Sequence, residues 1–244
     1  SSDMLSKFKY LHVLNLSRAR IELVPTSTGK LIHLRYLDLS YSRIKTLPEC
    51  ILRLYNLQTL RMYSCPALKD LPEGMSSLIN LRHLCYYNDA KFLMPKHMGL
   101  LTCLQTLKFF NVGEEKGRHI EELGCLENLR GGLEIRNLEL VNGTEGAQQA
   151  NLFGKLNLHE LHFKWGRTRD SDSDDENVLE GLQPHPNLQV LVIENYIGDH
   201  IPSWVMNLSA SFRLTRLCLT DCRRCTEIPA LGQLPLLQDL KLLG

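Results

Sequence analysis

The chain has 244 residues, 43% of them hydrophobic, enough for a sizeable buried core and far from the composition of disordered chains. With 28 basic and 27 acidic side chains its formal net charge is +1, so no global field directs it to nucleic acid or to an anionic membrane. No apolar run approaches the roughly 20 residues of a membrane span, and the opening SSDMLSKFKY lacks the apolar core of a signal peptide. A repeat already begins at Leu11, so the start reads as a cut inside a longer protein.

The pattern L-x-x-L-x-L starts at Leu11, Leu34, Leu57, Leu81 and Leu104, with spacings of 23, 23, 24 and 23. It resumes at Leu158, Leu188, Leu214 and Leu237, and a degenerate unit, one residue over length, fits at Leu129 to Ile135. That spacing predicts ten turns of a repeat architecture. In each L-x-L the alternation puts both leucines on one face of a short strand. The second half of a turn, as in PECILRLYNL from Pro48 to Leu57, has apolar residues three apart and suits a 3₁₀ return. Proline at Pro25, Pro48, Pro72, Pro95, Pro202 and Pro229 marks where the chain leaves the sheet. One turn cannot bury its apolar side alone, whereas stacked turns bury a continuous core and align one strand each in a parallel sheet. The expected fold is therefore α/β: a right-handed solenoid, or horseshoe, of about ten repeats in a single domain over residues 1–244, with a concave parallel β-sheet.

Two segments break the rhythm. Gly143 to Lys155 is rich in Ala and Gln and predicts a short helix. Residues 166–177, containing RTRDSDSDDEN, predict an acidic mobile loop. The chain stops at Gly244 directly after a predicted strand, so more repeats are expected beyond it.

Several motifs suggest chemistry and lose it on inspection. Gly29-Lys30 lacks the upstream glycine and the following Ser or Thr of a phosphate-binding loop. Cys222-Arg-Arg-Cys225 has no second pair to complete a zinc site, and the frame places Cys225 where Leu68 sits, as a small buried hydrophobe. The acidic run from Asp170 has Asp175 and Gly181 where a calcium loop needs Gly and Glu. Cys65 and Cys222, like Ser42, are placed to bond backbone groups of the turn. No catalytic constellation stands at motif spacing, and no metal or cofactor is expected. The eight cysteines lie in the frame of a long, core-rich chain and read as reduced thiols. Three sequons begin at Asn15, Asn142 and Asn207; Asn15 falls between two core leucines, and chance occurrence accounts for them.

L-x-x-L-x-L-x-x-(N/C)-x-L is the signature of leucine-rich repeats. LRYLDLSYSRIKTLP, LPEGMSSLINLRHL, VLEGLQPHPNLQVLVIENYIGDHIPSW and IPALGQLPLLQDLKLLG together resemble the repeat domain of plant intracellular nucleotide-binding, leucine-rich-repeat disease resistance proteins of the coiled-coil class. The resemblance runs from about Phe8 to Gly244 and implies a cytoplasmic, non-enzymatic sensor. It would recognise a pathogen effector or a guarded host protein and restrain an intramolecular nucleotide-binding domain. ATP or ADP is expected only in that adjacent domain, and oligomers only through other domains. An extracellular receptor ectodomain and the substrate-recognition arm of a ubiquitin ligase remain as alternatives, because folds do not fix functions.

Two outward rows follow from the frame. The residue after the last leucine runs Ser17, Ser40, Tyr63, Tyr87, Phe110, Arg136, Lys164, Glu194, Thr220. The residue between the leucines runs Asn15, Asp38, Arg61, Cys85, Lys108, Glu134, His162, Val192, Cys218, Lys241. Strands about 4.8 Å apart would make Tyr63, Tyr87 and Phe110 an aromatic ladder beside Arg61 and Lys108, the makeup of a protein-binding hot spot. Cross-strand aromatic pairs that merely stabilise a sheet are the competing explanation. His162, Lys164 and Trp165 form a second candidate patch beside the acidic loop.

Overall fold

A computed structural model describes residues 5–86, 93–167, 169, 174–206, 212–222, 224 and 234–243. The chain forms two compact units, Ser1–Lys108 with Lys116–Arg118, and Phe109–Glu115 with His119–Gly244. The first holds a five-stranded parallel sheet in sequence order: β1 (Val13–Asn15), β2 (Tyr36–Asp38), β3 (Thr59–Met62), β4 (His83–Tyr86) and β5 (Thr106–Leu107). The second holds six parallel strands: β6 (Phe109–Asn111), β7 (Gly131–Arg136), β8 (Leu158–Lys164), β9 (Val190–Glu194), β10 (Arg216–Thr220) and β11 (Asp239–Leu243). β5 and β6 come from one sequence repeat, so the described strands mark the ten expected turns of a leucine-rich-repeat solenoid.

Register confirms the alternation in the first unit. Leu14, Leu37, Leu60 and Leu84 stand side by side, as do Asn15, Asp38, Arg61 and Cys85. Leu34, Leu37, Leu39, Ile44 and Ile51 are each wholly inaccessible to solvent, and burying each such side chain stabilises the fold by about 1.5–3 kcal/mol. Pro25, Pro48 and Pro72 directly precede 3₁₀ turns at Thr26–Lys30, Glu49–Arg53 and Glu73–Ser77, as expected of a residue with φ already fixed.

Two devices stitch successive turns together. Asn56 Nδ2 donates to the Ile32 carbonyl at 2.8 Å, and Asn80 Nδ2 to the Tyr55 carbonyl at 2.7 Å. Asn187 does the same to Leu156 in the second unit. Asn56→Ala is expected to lower stability by about 1 kcal/mol in urea unfolding, since the freed carbonyl is exposed and water replaces the amide.

The second device is a left-handed residue that ends the strand, at Arg18, Tyr41 and Ser64 in one unit and Asn137, Asn195 and Asp221 in the other. The amide of Tyr41 still donates to the next strand, at Tyr63 O, 2.7 Å, before the chain turns out. That ladder bond helps offset the roughly 1–2 kcal/mol that a left-handed backbone costs a residue with a Cβ.

Among the described residues of the second unit three returns are helical: α1 (Gly143–Gln148), α2 (Asp175–Gly181) and α3 (Ser203–Met206). The helix expected after Gly143 is therefore present. α1 packs on α2, and a Cβ on Gly181 would run into the Thr144 carbonyl oxygen and stand 2.7 Å from Ala147 Cβ. Of the acidic stretch, Thr168 and residues 170–173 lie outside the described residues, while Asp175, Glu176 and Asn177 are helical. Asp175 is buried because the Arg169 guanidinium grips both its oxygens, at 2.7 and 2.8 Å.

Candidate functional site

On the open face of the first unit's sheet, Arg61 and Tyr63 follow each other at positions i and i+2 of one repeat, so their side chains rise from the same side. The guanidinium lies 5.2 Å from the Tyr63 ring centroid, with its Nε 3.6 Å from the Asp38 carboxylate. Asp38 is itself covered: it accepts from the Tyr36 hydroxyl at 3.1 Å and from the Ser40 amide at 2.9 Å. The outward row is thus partly closed over, because neighbouring long side chains lie down on the short ones. Arg61 Nε has no hydrogen-bond acceptor among the described residues, while its side chain remains 42% exposed. Burial and then the Cys85 thiol push the Tyr63 phenol above its ordinary pKa, so it stays protonated and able to donate.

The expected aromatic ladder does not extend from there. Tyr87 lies outside the described residues, and Phe110 is fully buried. The reason is one extra residue. Leu107 faces inward beside Leu84, but the next inward position is Phe110, which stands beside Ile135. The chain bends at Lys108, which is exposed between β5 and β6, and the side chains of β6 change face by one position. Phe109 and Asn111 therefore take the outward places assigned to Lys108 and Phe110, in register with Glu134 and Arg136.

The open face of the second unit is a charged array. Arg136 grips Glu134 with Nε at 2.8 Å and a terminal nitrogen at 2.9 Å, and its guanidinium carbon sits 4.2 Å from the Phe109 ring centroid. His162 stands between two carboxylates, Nδ1 3.9 Å from Glu134 and Nε2 3.0 Å from Glu194. Lys164 Nζ reaches the other oxygen of Glu194 at 2.8 Å, and Arg167 approaches it at 3.8 Å. Burial is the largest influence on Glu134 and acts to raise it. The bonds and charge of Arg136, with His162 and Lys164 behind, outweigh it and hold the carboxyl below its ordinary pKa. Glu194 is held low in the same way, burial opposed and overcome by Lys164 and then His162.

His162 and Lys164 thus stand where the frame put them, half-buried and already paired. Trp165 does not. It is 1% exposed, packed edge-on against Tyr196 at 5.4 Å. β8 continues without a left-handed break, so the alternation that turns Leu161 and Phe163 inward carries on to Trp165. Glu134, Arg136 and Glu194 belong to the same two outward rows. Their signal was opposite charge at i, i+2 and at facing positions on adjacent strands.

Cys65 bonds backbone as expected, its Sγ 3.3 Å from the Leu39 carbonyl, and Cys222 approaches the Ile193 carbonyl at 3.7 Å. Cys225 lies outside the described residues; the seven described cysteines are free thiols. Among the described residues no group of His, Cys, Asp and Glu could hold a metal ion, and no helix is long and apolar enough to cross a membrane.

A family model described as R13L1/DRL21 LRRs matches residues 120–244, and one described as Leucine rich repeat matches residues 9–66. The chain is 42% identical over 244 residues to the putative disease resistance protein RGA4 of Solanum bulbocastanum, covering 99% of this chain and 24% of that protein. It is 39% identical over 255 residues to the putative disease resistance RPP13-like protein 1 of Arabidopsis thaliana, again covering 24% of the relative. It thus spans about a quarter of the length of these relatives. The leucine-rich-repeat protein LIC12759 of Leptospira interrogans shares the fold, with a TM-score of 0.63 at 20% identity over 96% of this chain and 62% of that one.

Proposed function

Because the chain belongs to the R13L1/DRL21 family of leucine-rich repeats, we propose that it is the protein-binding sensor and autoinhibitory domain of a cytoplasmic plant immune receptor. Relatives named as disease resistance proteins support that setting. Leucine-rich repeats are a protein-interaction fold, and the reading is of binding without catalysis or cofactor, any nucleotide being held by an adjacent module. Residues 1–244 act as one repeat domain in this reading. Its partners are a pathogen effector or guarded host protein and the receptor's own nucleotide-binding domain.

The observation that carries the reading is the Arg61–Tyr63 pair. A half-exposed guanidinium, held over an aromatic ring and backed by a covered carboxylate, has the chemistry of an interface anchor. It presents a cation, a ring edge and a hydroxyl without further ordering cost.

The test is a receptor carrying Arg61→Ala with Tyr63→Ala, checked for normal accumulation and circular dichroism. Loss of the effector-triggered response by at least about tenfold, or a rise in effector-independent signalling, is the expected result. A normally folded variant in which both stay at the parental level overturns the assignment of this surface.

A further inference from the structure

The second unit contains a groove of about 520 Å³ on the returning side of its turns, away from the open sheet face. Val112, Ile120, Leu140 and Val141 make its floor, and Gly146 and Gln149 at the end of α1 make one wall. Val112, Ile120 and Val141 are buried and form a packed base, and the half-buried Leu140 is the apolar side chain that stays open to the groove.

The rim has the opposite character. Glu114, Glu121 and Glu145 stand around the floor, all exposed, and neither lysine nor arginine lines the groove. Glu114 and Glu145 form no ion pair among the described residues. Glu121 has only the His119 ring, 3.8 Å away, and that ring is anchored by a bond of Nε2 with the Glu114 carbonyl at 3.0 Å. The charged pairs Glu134–Arg136 and Lys164–Glu194 of the same unit's sheet face satisfy each other, whereas here three carboxylates line one concavity and their fields add.

Apolar floor and anionic rim together match a side chain with a long aliphatic stem and a cationic head. We propose that this groove binds a lysine or arginine side chain presented by an extended segment of a protein partner. The stem lies on Leu140, and the ammonium or guanidinium is held among Glu114, Glu121 and Glu145. The inference rests on the reading of the chain as a protein-binding module only for the class of partner, and it does not use Arg61 or Tyr63.

The test uses the full chain in solution with the peptide acetyl-Ala-Lys-Leu-Arg-Ala-amide, its isostere with glutamine in place of both basic residues, and methyl NMR as readout. The expected result is saturable movement of the Val112, Ile120 and Leu140 methyls with the basic peptide, at least about tenfold tighter than with the isostere and weakened by salt. The triple variant Glu114→Gln, Glu121→Gln, Glu145→Gln should weaken binding at least about tenfold. Gly146→Met keeps every charge but fills the groove. A Cβ there meets Val141 only at an ordinary 3.8 Å, so this variant folds and should also weaken binding. Equal affinity for the two peptides, undiminished binding by either variant, or no methyl movement up to about 10 mM overturns the proposal. Because the sheet face plays no part in this experiment, its failure leaves the Arg61–Tyr63 assignment standing, and the reverse holds.

Discussion

Replacing Glu134 with alanine is expected to destabilise the chain by about 1.5–3 kcal/mol, because it removes the charged acceptor of two hydrogen bonds from a buried guanidinium. The Arg136 side chain is only 6% exposed, gripped at 2.8 and 2.9 Å by the carboxylate that the substitution removes. The Phe109 ring beneath it offers a quadrupole and no hydrogen-bond acceptor. The double variant Glu134→Ala, Arg136→Met should recover most of the loss, since an unbranched apolar side chain can lie on Phe109 without a desolvation penalty. Urea unfolding of the parent, both single variants and the double variant gives the coupling directly. A Glu134→Ala loss below about 1 kcal/mol would mean that the pair is effectively solvated. The same pair sets an acid limit. Glu134 and Glu194 both have folded pKa values below their ordinary ones. Their contribution is present above the unfolded value of about 4.3 and is lost as pH falls through the folded values. Stability should therefore drop on acidification below about pH 4.3, and less steeply in the double variant.

The second large effect has the opposite sign. Lys155→Met is expected to stabilise the chain by about 2 kcal/mol at pH 7. Lys155 is 1% exposed, with Nζ donating to the Leu126 carbonyl at 3.1 Å. Burial pushes its ammonium down to about 8, only partly opposed by the charge of Glu127. Between about pH 8 and the unfolded value near 10.4 the folded chain holds fewer protons than the unfolded one, so stability rises with pH there. Below pH 8 the penalty is full, about 3 kcal/mol at 1.36 kcal/mol per pH unit. Methionine removes it but forfeits the bond to Leu126, which takes back about 1 kcal/mol. The gain should shrink steadily from pH 8 to 10.5 in thermal or urea unfolding. A gain that is absent at pH 7, or that does not change with pH, contradicts this account.

Much of the scaffold was legible because each turn carries its own instructions. The L-x-x-L-x-L frame makes Leu34, Leu37 and Leu39 the inward set of the second repeat, and all three are buried. The prolines before the 3₁₀ turns and the backbone-bonding thiol of Cys65 were equally local in origin. The candidate site was less legible. Arg61, Tyr63, His162 and Lys164 lie on the open faces, but Phe110 and Trp165 are core. Both misplacements come from counting by two where the strand does not obey the count. At Lys108 a residue is inserted; after Lys164 the left-handed break that ends other strands is missing.

The sequence by itself determined the period, the inward leucines and the parallel order of strands. Alternation and three-residue spacing are properties of a short stretch, and stacking repeats requires only neighbour contacts. Tertiary structure alone decided which face Phe109, Phe110 and Trp165 occupy, how Arg61 lies over Asp38, and that His162 and Lys164 of one strand meet Glu194 of the next. Those outcomes depend on cross-strand register and on long side chains reaching from neighbouring repeats, information that no single turn contains. For recognition the consequence is concrete: the repeat supplies the platform, and contacts between neighbouring repeats decide which side chains stand on it.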